Sequence, residues 1–334
     1  MLRSHLTATR HDPGGTMRIG LVVDSACDLP LEYLQRNRIH LLPITVRIGQ
    51  AVLADHRNEE ATLQFLNTHL AERGFEAETT PFSVQQIRDL FVSQFAIEYD
   101  YVFCMTITKT RSPVYENANQ ASFAILNDYR PVRSAAGINT PFALRVIDTL
   151  NLFAAQGITA VESVRLRDAG EGAPKIRARL EHLALHTHGY LIPRDLNYLR
   201  ARTRVRGDRS VSFLSATLGT ALDIKPVLHC NRGETGPVAK IKGYENAAQK
   251  LLEFTARKAG ASGGDGLLTP TVCLSYGGEL SELRALPGYE RLRTVCRDNN
   301  VELFESVMSL TGMVNVGKGA LVVGFAAEKA EFAG

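Results

Sequence analysis

Hydroxyl-bearing residues recur where apolar, strand-like runs end. Asp24 and Ser25 close "RIGLVVDS", Thr79 and Thr80 precede a helical pattern, and Thr106, Thr108 and Lys109 follow "YVFC". In an open parallel sheet, ligands bind in the crevice beyond the C-terminal strand ends. Two of these turns feed helices whose first N–H groups point back at that crevice. Hydroxyl donors beside helix N-termini make a site for a carboxylate or a phosphate. Ordinary N-capping explains Thr80 and Ser112 with no ligand. It does not explain why so many hydroxyls gather at one edge.

Other residues invite other chemistry. "GMVNVGKG" (312–319) fits G-x-x-x-x-G-K, yet it ends in Gly319, where a phosphate loop needs Ser or Thr to hold Mg²⁺. A strand pattern follows it in place of a helix, so the segment, Gly317 included, reads as a glycine turn close to a ligand or another backbone. His182 and His186 could share a helix face as metal ligands do, with His188 just beyond. No carboxylate or thiol stands at a recognisable spacing from them, so no metal site is expected and the histidines read as solvated or partly buried. Arg200, Arg202, Arg204 and Arg206 alternate over seven residues. On a strand they would line one face; on a helix they would scatter. The patch is either a solvated loop or a dock for an acidic partner or a phosphate. Cys27 follows the first strand, but a cysteine nucleophile needs a base, and no local motif supplies a histidine. No catalytic residue is expected.

The elements that must position these residues differ between the two halves. In the first, strand patterns (18–25, 39–49, 101–107, 144–149) alternate with helical spacings (59–74, 84–95, 114–126). Thr80 then falls at an N-cap with Pro81 at the first helical position, and Ser112-Pro113 opens the next helix in the same way. This alternation predicts an α/β domain over 17–160 with a doubly wound, mostly parallel sheet. The second half mixes helices (175–186, 211–222, 244–259, 280–299) with strands, and "NRGETG" reads as a hairpin turn. It predicts an α+β domain with a mixed sheet over 161–330.

Composition narrows the class. A chain of 334 residues suits two domains, and 45% hydrophobic with 22% charged residues is ordinary for a soluble globular protein. A net charge of +3 is too small to argue for nucleic acid. Five scattered cysteines without a CxxC pair fit reduced thiols in the cytoplasm. Residues 1–16 lack the apolar core of a signal peptide or a membrane span and carry a Pro-Gly-Gly break, as a disordered leader or a tag would.

Taken in order, the motifs resemble the DegV family, fatty-acid-binding proteins of the EDD fold. "VVDSACDLP" resembles V-x-D-S-x-x-D-L-P, "ETTPFSV" the T-S-Q-P-S stretch, and "TITKTRSPVYENA" I-S-S-x-L-S-G-T-Y-Q-S-A. "VIDT" parallels V-I-D-S, "LNYLRARTRV" parallels L-x-Y-L-x-x-G-G-R-I, "LGTALDIKPVL" is similar to L-x-x-x-L-x-I-K-P-I-L, and "VGKGALVVGF" resembles H-x-G-P-G-A-L-G-x-x-F. The resemblance implies two domains that bury a long-chain fatty acid, with no cofactor and no chemistry of their own. It places the carboxylate on Thr79 and Thr108, with Thr80, the Lys109 backbone and Asn315 beside them. Asp24, Ser25, Ser112 and Gly317 would edge the site. It also implies a partner, an acyl kinase, docking at Arg200, Arg202, Arg204 and Arg206. Lys109 replaces a serine of the family pattern, Pro113 a glycine, Asn315 a histidine, and Arg202-Thr203 the paired glycines. The alternative is a phosphotransferase that uses the Gly-Lys-Gly turn or the arginine run on a small phosphorylated substrate.

Overall fold

Near-continuous apolar runs become strands covered on both faces. β1 (Ile19–Asp24), β2 (Ile39–Leu42), β6 (Tyr101–Thr106) and β7 (Ala143–Asp148) form a wholly parallel sheet in the order β2–β1–β6–β7. The computed structural model describes residues 17–206 and 223–332, so the expected leader and the helical reading of 211–222 lie outside the described residues.

The extended run 39–49 is two strands, because Pro43 has no N–H with which to continue a ladder. Beyond it, β3 (Ile44–Ile48) leaves the parallel sheet. It pairs antiparallel with β4 (Ala51–Asp55) and β5 (Glu78–Pro81) in a separate sheet of order β4–β3–β5. Thr79, Thr80 and Pro81 therefore belong to a strand, which corrects the reading of Thr80 as an N-cap. Ser83 caps the helix Val84–Leu90, in a reciprocal box with Gln86.

The second half builds a six-stranded mixed sheet from β8 (Thr187–Ile192), β9 (Ile224–Asn231), β10 (Glu234–Lys242), β11 (Leu267–Tyr276), β12 (Glu302–Val307) and β13 (Leu321–Ala327). The order is β10–β9–β8–β13–β11–β12, and only β11 and β12 run parallel. The fold is thus α/β, with one parallel sheet and one mixed sheet.

Between these two sheets lies a helix that the apolar spacing does not announce, Phe153–Asp168. Every residue from Phe153 to Val164 is buried. The helix packs on β8, β11 and β13 and also on β1 and β6. Gly189 of β8 and Gly324 of β13 are cross-strand partners beneath it, and a Cβ on Gly324 would sit 2.4 Å from Ala155 Cα. Helix backbone and sheet backbone are therefore almost in contact. The domain boundary expected at 160/161 falls inside this helix.

Three further elements position the site. The arginine run is helical, Leu196–Arg206, so its side chains scatter: Arg202 is buried, Arg200 half-buried, and Arg204 and Arg206 exposed. A short helix, Leu310–Val316, stands between β12 and β13. The glycine turn after it is packed tight, for Gly317 (φ 89°) lies under the Tyr198 ring and a Cβ there would come within 2.9 Å. Residues 312–316 of the G-x-x-x-x-G-K match are helical, so they do not form the open glycine loop that cradles a phosphate. Among the described residues, no helix is long and apolar enough to cross a membrane.

Candidate functional site

A cavity opens where the three sheets converge. With the open solvent at its mouth included, it spans about 1100 Å³. Ile44, Ile107, Leu152, Leu191, Leu228 and Val322 supply apolar wall from β3, the end of β6, the approach to the buried helix, β8, β9 and β13. Thr79, Ser112, Arg202, Arg206, Thr311 and Asn315 supply most of the polar groups, and Arg111 adds a third guanidinium.

Arg202 dominates the electrostatics. Its side chain is buried, and no carboxylate lies within ion-pair distance of it among the described residues. Nε donates to Asn315 Oδ1 at 3.1 Å, and Nη1 donates to the carbonyls of Phe75 (3.2 Å) and Ala77. Burial, and then the neighbouring Arg206, push its pKa down to about 10, which leaves it charged at neutral pH. A buried cation held only by neutral oxygens is poorly compensated, so an anion in the cavity would find a strong partner.

The wall around Arg202 is braced in steps. Asn315 Oδ1 also accepts from Arg206 Nη1 at 2.8 Å, while its Nδ2 donates to Thr311 O at 2.7 Å. Thr311 donates its N–H (2.8 Å) and its hydroxyl (2.7 Å) to Asp55 Oδ2, which anchors this short helix to the end of β4. The arginine-bearing helix is docked by Tyr198, whose hydroxyl donates to Val314 O at 3.0 Å. Arg202 and Arg206 share a face because they are four residues apart.

The expected site residues are only partly brought together. Thr79, Ser112, Asn315, Arg202 and Arg206 line the cavity, whereas Thr80, Thr108, Lys109, Gly317, Asp24, Ser25, Arg200 and Arg204 are not among its lining residues. Strand alternation turns Thr79 and Pro81 inward and leaves Thr80 exposed. Ile107 takes the inward position at the end of β6. Thr108 is instead packed near the β9–β10 turn, its hydroxyl 3.3 Å from that of Thr110, which donates to Gly233 O. Lys109 is exposed, and its N–H faces Asp148 Oδ2 at 3.4 Å.

Asp24 and Ser25 are structural ties. Asp24 accepts from the N–H groups of Ala26 (3.0 Å) and Ile107 (2.6 Å) and from Gln156 Nε2 (3.1 Å), joining two strand ends to the buried helix. Burial outweighs these donors and raises its pKa to about 6. Ser25 accepts from Ile44 N at 3.0 Å, which fixes the start of β3.

Sequence reasoning missed Thr311, Arg111 and the inward role of Arg202 and Arg206. The i, i+4 spacing of the two arginines was the available signal, and it points inward only once the segment is known to be helical. Among the described residues lining the cavity there is no Asp, Glu, His or Lys. Its one thiol, Cys230, is pushed up to about 11 by burial, so it is not a nucleophile at neutral pH. The cavity can hold an apolar chain and an anion.

A family model described as an uncharacterised protein of the DegV family matches residues 18–328. A DegV domain-containing protein of Xanthomonas campestris pv. campestris is 69% identical over 316 residues, covering 95% of this chain and 99% of that protein. Among solved structures, a DegV lipid-binding protein from Thermotoga maritima superimposes with a TM-score of 0.71 at 21% identity, over 94% of this chain and 100% of that one. A stearic acid-binding protein from Eubacterium ventriosum gives a TM-score of 0.71 at 23% identity, over 93% and 98%.

Proposed function

The chain belongs to the DegV family, and from that premise we propose that it is a long-chain fatty-acid carrier without chemistry of its own. The acyl chain lies along the apolar wall, where each buried methylene contributes roughly 0.8 kcal/mol. The carboxylate meets the guanidiniums of Arg202 and Arg206, and Thr79 and Ser112 supply hydroxyl donors beside it. Thr108, assigned to the head group by the family resemblance, stays behind the wall. The observation that carries this reading is the buried guanidinium of Arg202, with no carboxylate within ion-pair distance and no acidic residue in the cavity lining among the described residues. Solved relatives described as lipid-binding and stearic acid-binding support the same ligand class.

The carrier works in the cytoplasm and presents its head group to an acyl-processing partner, an acyl kinase in the family pattern. Arg204, exposed on the same helix as the cavity arginines, is suited to that contact.

Native mass spectrometry of the purified protein, followed by organic extraction, tests the assignment. One long-chain fatty acid per chain is expected. A protein that carries none, and takes up none when offered palmitate or oleate, overturns it.

A further inference from the structure

We propose that His182, His186 and Glu328 form a binding site for a zinc-like divalent metal ion, independent of the fatty-acid reading. The two histidines lie one turn apart at the end of the helix Ala173–His186, their ring centroids 4.4 Å apart. Glu328 comes from just beyond β13. The antiparallel register of β8 and β13 pairs Thr187 with Ala326, which carries Glu328 back alongside the end of that helix. This long-range pairing supplies the carboxylate that no local spacing offers.

The donor atoms lie close together. His186 Nε2 is 3.3 Å from Glu328 Oε2, His182 Nε2 is 4.0 Å from Glu328 Oε1, and all three ligand atoms lie within 4.8 Å of one another. Tetrahedral zinc with bonds of about 2.0–2.2 Å spaces its donors about 3.4 Å apart. His186 and Glu328 meet that spacing, and the more exposed His182 ring would have to move closer to join them.

The far ring nitrogen is already engaged. His186 Nδ1 is 2.9 Å from the His182 carbonyl oxygen, which can only accept a hydrogen bond, and this leaves Nε2 as the ligating atom. Nε2 lies 3.3 Å from Glu328 Oε2. Zinc-bound histidines commonly hold their second nitrogen on a carbonyl in this way. The carboxylate side is anchored as well: Ala327 O accepts from His188 Nε2 at 3.1 Å, fixing the backbone immediately before Glu328. Two imidazoles and one carboxylate suit zinc, with water completing the shell. The ion would clamp the end of the helix to the end of β13.

The test uses tag-free, EDTA-treated full-length protein titrated with zinc alone by calorimetry, and with cobalt(II) as the spectroscopic substitute. One equivalent is expected, with a cobalt absorption band typical of low coordination number. His182→Ala and His186→Ala should each weaken zinc binding about tenfold or more, in the range that disturbed metal shells show. Both histidines are near the surface, and circular dichroism confirms that the variants are folded. Zinc binding of unchanged stoichiometry and affinity in the His182→Ala/His186→Ala double variant overturns the proposal. So does an absence of binding up to millimolar zinc.

Discussion

The buried guanidinium of Arg202 is where the proposed head-group site is tested most directly. Hydrogen bonds to charged groups contribute roughly 1.5–3 kcal/mol, so Arg202→Met is expected to weaken fatty-acid binding by about 10- to 100-fold. The methyl ester of the same acid should bind wild type and variant alike, and displacement of a fluorescent fatty acid reads both. Equal loss for acid and ester would place Arg202 in packing alone. Acid sensitivity is also written at this scale. His188 and His229 stack with 5.1 Å between centroids and 2.9 Å between Nδ1 and Nε2. Burial, and for His188 also the neighbouring His229, lowers both to about 4 from 6.5. The unfolded chain takes up protons below pH 6.5 that the fold refuses until about 4, so the pair's contribution, complete above that window, is lost through it as pH falls. Asp24 acts in the opposite sense. Raised to about 6 from 3.8, its carboxyl takes its proton first in the folded state, so acidification through that range favours the fold. A comparison isolates the histidines: between pH 7 and 4.5, His229→Phe should lose less urea stability than wild type. An equal loss in the two proteins would show that the pair is not the source. What sequence revealed at this scale was the chemistry of the residues rather than their direction. Thr79 and Thr108 look equivalent as hydroxyls after apolar runs, yet alternation turns one into the cavity and leaves Ile107 to face it for the other.

Elements were legible where an apolar run is near-continuous or where one helix face is buried. The strands of the parallel sheet were readable as apolar runs, and the helices at 114–124 and 173–186 from their periodicity. The helix Phe153–Asp168 was not, because a helix buried all round has no stripe to detect. The Thr-Pro pair at 80–81 imitates a helix start, whereas Ser83 and Gln86 carry the true capping signature. The buried helix also depends on what lies under it. In Gly324→Val the new side chain would press on the backbone of Ala155, which cannot yield as a side chain can. Overpacking of this kind costs about 1–3 kcal/mol, measurable as a lower urea midpoint with an unchanged slope. A midpoint equal to wild type would mean that the helix and sheet are not in the contact described.

At the scale of the molecule, separate sheets must be held in register around one cavity. Arg57, just beyond β4, reaches Asp28 at 3.3 Å, Leu29 O at 3.1 Å, Ser306 Oγ at 2.7 Å and Val307 O at 3.0 Å, and so ties the small sheet to the turn after β1 and to β12. Both charges are buried. Arg57→Met would strand Asp28 without its cation, a loss of about 3–5 kcal/mol. Chemical denaturation measures it, and a loss below about 1 kcal/mol would show that the two charges are not isolated from water. The meeting of three sheets around empty space has one more consequence. A guest lodged there touches all of them at once and stands in for a side chain the polypeptide does not possess. Delipidation should therefore lower the melting temperature of the entire fold, and adding back acid should restore it in proportion to the logarithm of its free concentration.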